Sequence, residues 1–211
     1  MNPAEFVAEA LADFGTVGAI APSSRYLTRA MLRPLPLENA RVVIELGPGT
    51  GVMTRALLET LPRDATLLAF EINDRFARHL DSSIADPRLV VIHAPAEELA
   101  RELNQRGYRH VDAILSSLAM GLMSDLQRHA LLSEISIRLK KKGTFTQYQY
   151  LHGLQLRDRQ LSKFDMYALL NRYFRSVQRS ITWRNLPPAF VFTCRGARPG
   201  AARDTKGRSG A

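Results

Sequence analysis

The chain has almost no cysteine. Cys194 stands alone among 211 residues, so no internal disulfide can form, and a cytoplasmic setting is the expectation. No apolar run approaches the roughly 18 residues that span a bilayer. The opening Met1-Asn2-Pro3-Ala4-Glu5 lacks the basic stretch of a secretory signal. The five histidines show no metal-ligand spacing, and no metal is expected. There are no internal repeats. Aromatic residues make up 8%, with one tryptophan, and Trp183 reads as strand packing. Cys194 reads as a small buried residue rather than a nucleophile. What remains, 45% hydrophobic and 23% charged, suits one globular domain with a substantial core.

Acidic residues are scarce in one region only. Residues 1–137 carry a net charge of −4, whereas residues 138–211 carry +13. A basic patch of this kind fits an anionic surface, either nucleic acid or an acidic membrane leaflet. The plainer alternative is a solvated face with a basic tail.

The most informative segment is Val42-Val43-Ile44-Glu45-Leu46-Gly47-Pro48-Gly49-Thr50-Gly51. An apolar run ends in an acid and a turn with three alternating glycines, and helical spacing follows from Val52. A strand that feeds a helix through such a turn can cradle a nucleotide. A second apolar run, Leu67 to Phe70, ends in Glu71, placed to accept hydrogen bonds from a ribose diol. A phosphate loop would need Lys-Ser or Lys-Thr after the glycines, and Val52-Met53 is neither. The dinucleotide fingerprint would need glycine at Val52.

Glu45-x-Gly47-x-Gly49-x-Gly51 resembles the first motif of class I S-adenosylmethionine (SAM)-dependent methyltransferases. The resemblance implies SAM as cofactor. Glu45 would lie near the SAM amino group, the turn Gly47-Pro48-Gly49-Thr50-Gly51 would run beside the methionine moiety, and Glu71 with Ile72 would meet the ribose. The acid that often meets adenine is replaced by Pro95, within His93-Ala94-Pro95-Ala96. Adenine would then rely on backbone near Ala96 or on Glu97.

Periodicity predicts strands at 41–46, 65–71, 89–92, 110–115 and 144–150, with helices at 51–61, 74–82, 96–104 and 124–140 between them. Lys141-Lys142-Gly143 is read as a turn. A helix over 158–172 and a hairpin of strands 176–184 and 189–195 close the chain. This predicts an α/β fold with a Rossmann-like, seven-stranded and mostly parallel sheet, an antiparallel C-terminal hairpin and an N-terminal helical extension. Residues 1–36 form that extension, with an amphipathic helix over 4–14 and a second helix capped by Ser23 or Ser24 and ending near Leu32. Residues 37–196 form the methyltransferase domain, and 197–211 are expected to be a disordered basic tail.

Ligands of open α/β sheets sit beyond the carboxyl ends of the strands. There the turn Ser116-Ser117-Leu118 should meet Tyr148, Tyr150 and the segment around Tyr26. Tyr148 and Tyr150 alternate along a strand and share one face, as an aromatic cage for an ammonium or as ordinary packing. Together with Val17-Gly18-Ala19-Ile20-Ala21-Pro22-Ser23-Ser24-Arg25, the serine turn resembles that of bacterial phospholipid N-methyltransferases. Those enzymes convert phosphatidylethanolamine to its mono-, di- and trimethylated forms. Ala119 stands where that family usually has proline. The resemblance implies that Ser116, Ser117, Tyr148, Tyr150 and Tyr26 form the acceptor side, with Ser116 also near the cofactor. It implies an amine-headgroup lipid and an anionic membrane as partners, with the protein held peripherally at the inner face of the membrane. Phe6, Leu11 and Phe14 are either a core cover or a membrane contact, with Arg25, Arg29 and Arg33 nearby to attract acidic lipid. No obligate protein partner is evident.

The alternative is an RNA-adenine N6-dimethyltransferase, with nucleic acid as its partner. The absence of an Asn-Leu-Pro-Tyr-type turn and of a helical RNA-binding domain speaks against it. A SAM-binding scaffold without catalysis is a third reading.

Overall fold

A computed structural model describes residues 24–150, 155–157, 160–162 and 164–198, the two short stretches as backbone only. The sheet is built outward from β1 (Val42–Leu46), all of whose residues are buried. A strand covered on both faces is apolar almost throughout, which is why this run, Glu45 apart, does not alternate. β2 (Thr66–Phe70) and β3 (Leu89–Ile92) lie to one side of it. β4 (Val111–Ser116) and β5 (Leu139–Tyr150) lie to the other. These five strands are parallel. β8 (Phe174–Thr182) and β9 (Ala189–Ala197) complete the seven-stranded sheet in the order β3-β2-β1-β4-β5-β9-β8. β9 is antiparallel to both of its neighbours. The mostly parallel sheet with an antiparallel C-terminal hairpin is as the sequence predicts.

Helices cover both faces. On one face α1 (Arg25–Leu32), α2 (Val52–Thr60) and α3 (Asp74–Ser83) bury Leu27, Met31, Leu57 and Leu80 against Val43, Leu67 and Leu115. On the other, α4 (Leu99–Gln105), α5 (Asp125–Arg138) and α6 (Met166–Tyr173) bury Leu103, Leu132 and Leu170 against Ile44, Ile114 and Phe145. Ser24 caps α1, its hydroxyl accepting from the Leu27 amide at 3.3 Å. A Ser124–Gln127 capping box starts α5. Among the described residues, no helix is long and apolar enough to cross a membrane.

Three expectations are corrected. No helix spans 158–172. Its first part holds β7 (Gln160–Ser162), which pairs with β6 (Gln155–Arg157) in a two-stranded ribbon. The helix begins only at Met166, where the Asp165 carboxylate accepts the Ala168 amide at 2.9 Å and fixes the first turn. The Lys141–Gly143 turn is instead part of β5, which starts at Leu139 and shifts register between the Val111 and Ala113 pairings. Asp112 anchors that bulge, pairing with Lys140 at 2.6 Å and accepting the amides of Arg41 and Val42. β9 also runs past the expected end of the sheet, pairing Ala197 with Phe174, and Arg198 donates to the Tyr173 carbonyl. The helix expected at 4–14 and residues 199–211 lie outside the described residues.

Candidate active site

The carboxyl ends of β1, β2 and β4 form one edge, tied together by backbone bonds beyond the strands. Gly47 donates to the Phe70 carbonyl at 2.9 Å, Glu71 to Ile92 at 3.0 Å and Ser117 to Leu46 at 2.8 Å. All three glycines of the turn have positive φ. Gly51, at φ +82°, also lets the start of α2 approach α3, because a Cβ there would lie 2.7 Å from Leu80 Cδ2. Gly49 differs. A Cβ at this position would meet nothing within 4 Å, so its backbone faces open space that a ligand can enter.

Glu45 lies at the base of this turn and is wholly buried. Neither carboxyl oxygen has a hydrogen-bond partner among the described residues. Burial lifts its pKa to about 8, a rise that the neighbouring Thr54 hydroxyl moderates and the Glu71 charge adds to. An unpartnered buried carboxyl is costly. A cation brought beside it, such as the ammonium of a SAM methionine moiety, removes that cost.

Glu71 is also buried and brackets the turn. One oxygen accepts the Gly49 amide at 2.9 Å and the other the Asn73 amide at 2.8 Å. Each carboxylate oxygen has a second acceptor direction, so a diol can still be held. Ile72 follows and is exposed, offering an apolar surface beside that point. Ala96 is buried at the start of a short 3-10 turn. Glu97 is exposed and accepts from the Gln127 amide at 3.2 Å.

Alternation sorts the acceptor-side residues by face. Ser117, Tyr148 and Tyr150 lie on the α1/α2 face. The Ser117 hydroxyl donates to Met53 Sδ at 3.8 Å, and both tyrosines pack beside the core of that face. Their rings meet edge to face with centroids 5.3 Å apart. Ser116 is on the opposite face and buried, its hydroxyl accepting the Leu118 amide at 3.3 Å. Its visible contribution is to hold the turn. Tyr26 has Arg25 and Arg184 against its ring at 4.9 and 5.3 Å. The Arg25 guanidinium, donating to its hydroxyl, lowers the phenol pKa, and Arg184 adds to this. A ring already faced by two guanidinium groups is a poor receptor for a third cation.

Sequence reasoning missed Gln147. This residue is buried beside Ser116 in the β4–β5 register. Its amide nitrogen donates to the carbonyls of Leu118 and Tyr148 at 3.0 and 2.7 Å. Its amide oxygen has no partner among the described residues. A glutamine between a threonine and a tyrosine in a strand has no motif to betray it. Cys194 is buried, which pushes its thiol pKa up and leaves it inert at neutral pH.

A family model described as a methyltransferase domain matches residues 43–143, from β1 into β5. Two solved structures share the fold. The N-methyltransferase NodS from Bradyrhizobium japonicum WM9 aligns with a TM-score of 0.65 at 13% identity, over 82% of this chain and 96% of that one. The precorrin-6y C5,15-methyltransferase from Geobacter metallireducens gives 0.60 at 14% identity, over 82% and 89%. With its glycine turn and its two buried acids, the chain belongs to the class I SAM-dependent methyltransferases, and SAM is its cofactor. A more specific likeness is to the ornithine lipid N-methyltransferase of Singulisphaera acidiphila, 32% identical over 184 residues, which are 86% of this chain and 90% of that one.

Proposed function

We propose that the protein methylates the amine headgroup of a membrane lipid, with phosphatidylethanolamine as the acceptor favoured by the serine turn and the N-terminal segment. The carrying observation is the Tyr148–Tyr150 pair at the carboxyl end of β5, in a chain 32% identical to an ornithine lipid N-methyltransferase. The two headgroups share a primary amine. SAM supplies an electrophilic methyl on a sulfonium. The amine lone pair forms the new N–C bond as the S–C bond breaks and its electrons return to sulfur. The nitrogen must lose a proton to water before it attacks.

The residues need only orient a neutral amine in line with the methyl, which is catalysis by proximity. Tyrosine hydroxyls accept hydrogen bonds from that amine. As methyls accumulate those bonds disappear, and the aromatic faces hold the product ammonium instead. The test is to incubate the protein with methyl-labelled SAM and phosphatidylethanolamine vesicles, ornithine lipid vesicles or RNA. Label in either lipid supports the reading, and the ratio between the lipids assigns the headgroup. Label in RNA alone overturns it.

A further inference from the structure

The loop between β8 and β9 carries apolar surface that the domain does not use. Trp183 is 68% exposed and Leu186 82%, which corrects the expectation that Trp183 packs in a strand. The loop is not loosely held. Asn185 at its centre is buried, its side-chain oxygen accepting the Ser24 amide at 3.2 Å and its nitrogen donating to the Pro187 carbonyl at 2.7 Å. Asn185 thus roots the loop against the first turn of α1 while its neighbours project into solvent.

Register places this loop. Ala189 pairs with both Tyr150 and Thr182, so the β8–β9 tip stands at the carboxyl end of β5, on the same edge as Tyr148 and Tyr150. The local charge has one sign. Arg184 in the loop and Arg25 at the head of α1 share the ring of Tyr26. Residues 24–36 and 174–198 contain no Asp or Glu. Arg179 lies close by, its guanidinium over the Phe190 ring at 4.9 Å, whereas others are elsewhere. Arg195 donates to the Pro34 carbonyl and to Thr144, at the amino end of the sheet. Arg33 therefore lies across the domain from Arg25. Lys140 to Lys142 begin β5, and about 26 Å of strand separates Lys142 from Tyr150.

We infer that the β8–β9 tip seats in an anionic lipid bilayer, with Trp183 and Leu186 in the headgroup–acyl boundary and Arg184 and Arg25 against acidic headgroups. An indole beside guanidinium groups matches that boundary, which takes an apolar ring with a polar edge, and the unbalanced positive charge selects a negative surface. The seat turns the edge that carries Tyr148 and Tyr150 toward the membrane, so an amine headgroup has only to rise to it. This rests on the lipid-methylation reading for its purpose but not for its test.

Trp183 is the only tryptophan in the chain, so emission from the intact protein reports on this one site. Vesicles of phosphatidylglycerol with phosphatidylcholine should shift its emission to the blue, and lipids brominated along the acyl chain should quench it. Phosphatidylcholine alone should do neither. Trp183→Ser and Leu186→Ser should each weaken vesicle sedimentation about tenfold or more. Both should keep SAM affinity and activity toward a short-chain, monomeric amine lipid. Unmoved, unquenched emission on acidic vesicles overturns the inference, as does wild-type vesicle binding by both variants. So does a blue shift that appears without lipid as protein concentration rises, which assigns the tip to a second copy of the chain. Lipid methylation with a silent Trp183 sinks the seat and spares the function. A responsive Trp183 with no methylated lipid does the reverse.

Discussion

Replacing Glu45 with glutamine tests the cofactor cradle at its centre. The carboxyl is buried, has no partner among the described residues and has a pKa of about 8. At pH 7 such a group is about nine-tenths protonated. An ammonium seated beside it favours the ionised form, so binding SAM should expel that proton, about 0.9 per site at pH 7. Affinity should then rise nearly tenfold between pH 6 and pH 7, about 1.4 kcal/mol. Glu45→Gln has the shape of the neutral acid and cannot ionise. It should fold, lose ~1.5–3 kcal/mol of SAM affinity, the scale of a hydrogen bond to a charged group, and lose the pH slope. Titration calorimetry in phosphate and in Tris, whose ionisation heats differ, counts the protons. Identical heats in both buffers for the wild type, with an affinity indifferent to pH, would refute the pairing of Glu45 with the cofactor cation. The same shift acts on the cofactor-free protein. A raised carboxyl pKa means the folded form holds the proton more tightly than the unfolded chain does. That contribution is complete below the ordinary value of about 4.3 and is lost as pH rises through about 8. Stability of the free wild type should therefore decline from pH 5 to 8, and that of Glu45→Gln should decline less.

Glu71→Ala removes the acceptor of the Gly49 and Asn73 amides as well as the carboxylate proposed to hold the ribose. SAM affinity should fall by about 2–3 kcal/mol, and amide exchange at Gly49 and Asn73 should quicken even without SAM. Gly51→Ala drives a Cβ to within 2.7 Å of Leu80 at φ +82° and should cost about 1–3 kcal/mol in chemical denaturation. Gly49→Val has free space for its Cβ but holds a β-branched residue at φ +55°, so denaturation should register a loss of about 1 kcal/mol or more, and SAM titration a further loss from the filled ligand space. Tyr150→Phe should slow the first methylation more than the last if the hydroxyl orients the amine, whereas Tyr150→Ala and Tyr148→Ala should slow every step. Chromatography of lipid products over time separates these outcomes, and unchanged product ratios in all three variants would move the acceptor pocket elsewhere.

Strands β1 to β4 were legible to within about one residue because each is a largely apolar run of four to six residues between turn signals, a pattern with few other uses. The final third was less legible. An Asp165 cap shortens a periodic segment to eight helical residues, and nothing in 155–162 marks a ribbon from sequence alone. The bulge at Lys140–Gly143 depends on Asp112, a contact 28 residues away.

The amino-acid order by itself determined the acid–glycine–acid pattern at the strand ends and, through it, the cofactor class. A strand-end acid, glycines at alternate positions and a second strand-end acid are local features, because positive φ and the end of an apolar run are properties of a few adjacent residues. Tertiary structure decided what those groups experience. Glu45 is buried beside the Thr54 hydroxyl of α2, and Glu71 is tied to Gly49 only because β1 and β2 lie side by side. It also decided the far side of the edge, where Ser24 meets Asn185 across 161 residues and Trp183 is turned out rather than in. Register and helix packing carry residues so distant to one edge, and no local pattern in the chain encodes that meeting.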